Sequence, residues 1–77
     1  MEPDSTVKRI EKDISMFDEN VANVKPEGKA QERVVELSKM YAKDARSYLD
    51  KGDLFTAFSC VSYAHGLLDA IKEITQK

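Results

Sequence analysis

The sequence predicts an all-α protein, a three-helix up-down-up antiparallel bundle forming one domain over residues 1–77. Three observations carry that prediction. Apolar residues recur three and four positions apart through three successive segments, the period of one helix face. The 77 residues include only three Gly and two Pro, and the Pro26–Gly28 stretch and Gly52 fall at the joints between segments. Hydrophobic residues make up 42% and charged residues 34% of the chain, the balance of a folded helical domain rather than a disordered one.

The first helix is expected over about 5–24. Val7, Ile10, Ile14, Phe17, Val21 and Val24 keep a heptad spacing and make a narrow apolar seam of roughly 100°. Asp4 or Ser5 can cap its start with a side-chain oxygen. Lys25-Pro26-Glu27-Gly28 is turn chemistry, and the helical conformation is disfavoured at Lys25 because a proline follows it.

The second helix is expected over about 28–51. Ala30, Val34, Leu37, Tyr41, Ala45 and Tyr48 form one stripe, which Val35, Ala42 and Leu49 widen to about 160°. The opposite face mixes Glu32, Glu36 and Asp50 with Lys39, Lys43 and Arg46, a solvated and salt-bridged surface. Gly52 suits the end of this helix and Asp53 the start of the next.

The third helix is expected over about 54–75. Leu54, Ala57, Phe58, Cys60, Val61, Ala64, Leu67, Leu68, Ala70, Ile71 and Ile74 spread over more than roughly 200° of its circumference, wider than two neighbouring helices cover. The remaining arc reads Ser59, Ser62, Gly66, Asp69 and Glu73. The excess predicts that the third helix also meets a partner chain or is left partly uncovered by the first. The candidate interface is Phe55, Phe58, Ser59, Ser62, Tyr63 and Gly66, with the aromatics as anchors because aromatic side chains dominate interface energetics.

A second candidate is polar. Tyr41, Asp44 and Tyr48 fall on one edge of the second helix, and His65 and Asp69 stand one turn apart on the third. These five residues could gather at a ligand pocket. The structural alternative is preferred: tyrosine hydroxyls at a core boundary need hydrogen-bond partners, and a nearby carboxylate supplies one. His65 likewise reads as structural, and Cys60 as a small buried hydrophobe.

Several function classes are disfavoured. A single Cys and a single His give no internal disulfide and no Cys- or His-rich metal site. No H-E-x-x-H, phosphate-binding glycine loop or G-x-S-x-G occurs, so no catalytic residue, cofactor site or metal site is assigned, and the chain reads as non-enzymatic. A net charge of -2 argues against nucleic acid. No uninterrupted apolar run approaches the roughly 20 residues of a membrane span, and Met1-Glu2-Pro3-Asp4 does not open a signal segment. The expectation is a cytoplasmic protein without membrane or nucleic-acid partners.

Two resemblances extend this reading. Tyr41, Ala45 and Tyr48, then Gly52 at the turn, then Ala57, Val61 and Ala64, resemble a tetratricopeptide hairpin over roughly residues 38 to 71. Asp69 stands where that repeat usually has proline, and there is no second copy. The second resemblance covers most of the chain. Tyr41-Ala42-Lys43-Asp44-Ala45, Tyr48-Leu49, Lys51 through Phe58, and Tyr63-Ala64-His65-Gly66-Leu67-Leu68-Asp69-Ala70 are similar to the archaeal domain-of-unknown-function family numbered 357. That resemblance implies a small helical protein with no assigned activity and no catalytic residues to carry over. Fusions of some relatives to nucleotidyltransferase-like domains imply an accessory or interaction role. The expected function is therefore a protein-interaction or oligomerisation module, with a homodimer or another protein as partner. The alternative is a small-ligand or nucleotide-binding accessory domain working with a nucleotidyltransferase-like enzyme.

Overall fold

Three helices follow one another in a computed structural model that describes residues 3–75: α1 (Pro3–Val21), α2 (Gly28–Asp50) and α3 (Leu54–Thr75). They pack as an all-α bundle in which α2 and α3 make the most extensive contact. The ends of the expected domain, residues 1, 2, 76 and 77, lie outside the described residues, and with them half of the Met1–Asp4 segment.

The α2–α3 hairpin is closed by its turn. Gly52 takes a φ of +82°, a left-handed conformation that glycine adopts without steric penalty. Its N–H donates to the Leu49 carbonyl at 3.0 Å, and the Asp53 N–H donates to the Tyr48 carbonyl at 3.0 Å. Together these bonds satisfy two of the carbonyls that a helix end leaves open, the pattern of a Schellman cap. Asp53 then starts α3: its carboxylate oxygen accepts the Thr56 N–H at 3.2 Å, an N-cap bond.

Small side chains fill the contact between these two helices. Ala42 and Ala45 of α2 and Ala57 and Ala64 of α3 are all buried, as is Ser38. Ser38 satisfies itself by donating its hydroxyl to the Val35 carbonyl at 2.6 Å. Small residues at such a seam allow the two backbones to approach closely, since interaxial distance follows side-chain size.

This seam corrects the expected face of α2. The buried residues are Val35, Ser38, Ala42 and Ala45, whereas Ala30 is exposed and Leu37 is 39% exposed. The buried arc lies within the expected 160° face but is centred roughly 40° from its middle, toward the Val35, Ala42 and Leu49 edge, on the 100° spacing of helical residues. Side-chain size decides the offset. The smallest residues take the close contact, and the larger Leu37 and Tyr41 are displaced to its edges.

Bulk comes from α1. Ile10 and Ile14 pack with Ala45, Ala57 and Val61, and Phe17 packs with Ala42, Ala64 and Leu68. The heptad seam of α1 thus caps the groove of the hairpin. Its helix stops at Val21, short of the expected Val24. The Asn23 and Val24 N–H groups donate to the carbonyls of Asn20 and Val21 in turns, and the Asn23 side-chain amide donates to the Glu19 carbonyl at 3.2 Å. Asparagine offers the backbone these local alternatives to helix. Val24 nevertheless packs on the core from beyond the helix end.

Candidate functional site

The two candidate groups have different fates. All six residues of the candidate interface are exposed on one side of α3. Phe55 is 84% exposed, Tyr63 52% and Phe58 44%, and Ser59, Ser62 and Gly66 lie open between and beyond them. Asp69, Ala70, Glu73 and Ile74 continue the same open face toward the C-terminus. The opposite side of the helix holds Ala57, Val61, Ala64, Leu68 and Ile71, all buried.

At the N-terminal end of this face, Leu54, Phe55 and Phe58 form a shallow apolar pocket of about 300 Å³ with Thr6 and Arg9 of α1. Arg9 makes no ion pair among the described residues. In the middle, the Ser59 hydroxyl donates to the Phe55 carbonyl at 3.0 Å, so that hydroxyl is satisfied by its own helix. At the C-terminal end Asp69 and Glu73 are exposed, and neither joins an ion pair among the described residues.

The five polar candidates do not meet at one point. The Tyr41 ring packs edge-on to Tyr63 with centroids 4.6 Å apart, and the Lys51 ammonium lies 5.3 Å from the Tyr48 ring centre. Asp44 is exposed and accepts no hydrogen bond from either tyrosine among the described residues. His65 turns away from Asp69. Its Nε2–H donates to the Asp13 carbonyl of α1 at 2.8 Å, and its ring packs edge-on to Phe17 at 5.7 Å. His65 thereby ties α3 to α1. None of the five lines the apolar pocket.

Cys60 is half-buried against the core. Burial pushes its thiol above the usual range, and the carboxylates of Asp44 and Asp53 push it further. The thiolate, not the thiol, is the reactive form, so this environment suppresses nucleophilic chemistry at neutral pH. No group of His, Cys, Asp and Glu able to hold a metal ion occurs among the described residues.

Two of the basic side chains of α2 are paired. Lys39 contacts Glu36 at 3.3 Å, and Arg46 pairs across the bundle with Asp18 of α1. The second pair spans two helices, and helical periodicity within one segment gives no sign of it.

A family model of proteins of unknown function, DUF357, matches residues 12–75. The chain belongs to this family. The match spans α2 and α3 entire and the second half of α1, so all three helices contribute to it. No curated protein matches the chain.

By length and composition alone, α3 is long and apolar enough to cross a membrane, with a mean hydropathy of 1.3 over its most apolar 18 residues. The apolar surplus and the exposed aromatics are one observation: α3 carries more hydrophobic surface than α1 and α2 cover.

Proposed function

We propose that this chain is a non-enzymatic interaction module of the cytoplasm whose working surface is the open face of α3. The observation that supports it most is the exposure of Phe55 and Phe58 beside the apolar pocket they line. Contiguous exposed apolar surface on a small domain marks an interaction site, and aromatic side chains in or around a pocket are its usual anchors. Asp69 and Glu73 share the face. Exposed carboxylates are costly against hydrocarbon, which favours a protein partner over lipid.

The experiment is site-specific photo-cross-linking in cells of the native host. A benzophenone side chain placed at Phe55 or Phe58 should yield a cross-linked species, and one placed at the exposed Glu32 of α2 should not. Absence of any cross-link from α3 overturns the proposal.

The apolar pocket also favours a second reading, a site for a small amphipathic ligand that an accessory domain would hold for a nucleotidyltransferase-like enzyme. Its volume of about 300 Å³ lies at the low end for ligand pockets. Arg9 is the one cation in its lining. Thermal stabilisation that grows with nucleotide concentration would support this reading. No shift at saturating nucleotide would remove it.

A further inference from the structure

We infer that the partner of this face is a second copy of the chain, packed antiparallel through α3 about a two-fold axis beside Ala64. The inference rests on the interaction reading above and names its partner.

The two ends of the face are complementary. The N-terminal end presents Phe55 and Phe58 with Arg9 beside them. The C-terminal end presents Gly66, Ala70 and Ile74, with Asp69 and Glu73 alongside. One end is aromatic with a cation beside it, and the other carries two carboxylates. A two-fold interface requires a patch that complements itself, and this patch does so when the helices run in opposite directions.

The antiparallel register sets the N-terminal half of one α3 against the C-terminal half of the other and brings Ser62 opposite the partner's Gly66, with Phe58 and Asp69 on the same edge of the face. Arg9 then faces the partner's Asp69 and Glu73. In the pair those carboxylates also stand against the N-terminal end of the first copy's α3, where the helix dipole favours negative charge. A parallel pairing would set Asp69 and Glu73 against their own copies and leave Arg9 without a partner. Like-charge juxtaposition of that kind excludes wrong arrangements.

Charge reversal tests this arrangement directly. Within one chain, Phe58 at the Arg9 pocket and Glu73 are about 22 Å apart along α3 at 1.5 Å per residue. Arg9 therefore reaches Asp69 and Glu73 only in another copy. Light scattering behind size exclusion, from micromolar to near-millimolar protein, should give twice the 8.7 kDa of the chain. R9E alone, and D69K/E73K alone, should each weaken the dimer at least about tenfold, as expected for close interfacial charge pairs. R9E/D69K/E73K should restore it. All three changes are at the surface, and circular dichroism checks that each variant folds.

A monomer at every concentration overturns the inference, as does a dimer indifferent to these reversals. A monomer that still cross-links through Phe55 to a different polypeptide in cells overturns the second copy and leaves the interaction reading standing. A monomer with no cross-link ends both.

Discussion

The two faces of α3 follow opposite rules of size. Its inner face is Ala57, Val61, Ala64, Leu68 and Ile71, none more than 3% exposed. Its outer face carries Phe55, Phe58 and Tyr63. Of the three phenylalanines in the chain, only Phe17 is buried, and it comes from α1. A domain of this size has a small core and ordinarily places its largest apolar side chains there. The difference teaches that the inner face is built for close backbone approach, whereas the outer face keeps its bulk for contact with something else.

The largest expected effect separates the two faces outright. Phe17→Ala should cost about 3–5 kcal/mol, the range for emptying a core aromatic site, and at this domain size that threatens folding. Phe55→Ala should cost less than about 0.5 kcal/mol when measured below the concentration of self-association. Urea denaturation of both variants makes the comparison. Equal losses would show that Phe55 belongs to the core.

Gly52→Ala comes next. The left-handed turn disfavours any side chain, so the expected loss is about 1–2 kcal/mol, seen as a lower urea midpoint. A neutral result would mean that the α2–α3 turn relaxes and that the close hairpin does not depend on it.

Asp18→Ala should matter less. The Asp18–Arg46 pair is about half exposed on both sides, and such pairs contribute about 0.2–1 kcal/mol. A double-mutant cycle with Arg46→Ala measures it. A larger coupling would mean that α1 is held by charge as well as by its apolar seam.

Cys60 should leave neutral-pH stability unchanged. Its thiol is raised by burial, then by Asp44 and Asp53, so the unfolded thiol ionises first as pH rises. Whatever stability the folded thiol contributes is present below the ordinary thiol range and is lost above it. The pH profile of Cys60 alkylation should lie above that of a free thiol, and Asp44→Asn should bring it down. A profile at the ordinary position would show that Cys60 is in free contact with water.

Most of the fold was legible in the residues. The seam from Val7 to Val21 marked α1, and Gly52-Asp53 marked the hairpin turn, because turn chemistry and helical period are local properties. Which part of the broad α2 face takes the close contact was not legible, because size matching between Ala42, Ala45, Ala57 and Ala64 is a property of two helices at once. Ser38 gave no apolar signal, since its burial depends on a bond to its own helix. The apolar arc of α3 was wider than two neighbours cover, yet the open face is centred on the remaining arc of Ser59, Ser62, Gly66, Asp69 and Glu73, with Phe58 and Tyr63 at its edges. The polar cluster did not assemble as spacing suggested. His65 found the Asp13 carbonyl, 52 positions away in sequence, and periodicity within one helix carries no information about such a partner.

The central claim is that the outer face of α3 is the docking surface for a second copy of the chain. The most direct test is the native mass of the unmodified chain beside F55A/F58A, by light scattering across a wide concentration range. The account predicts twice 8.7 kDa for the unmodified chain and a folded monomer for the variant. An unmodified chain that stays monomeric throughout, or a variant of unchanged dimeric mass, would contradict it.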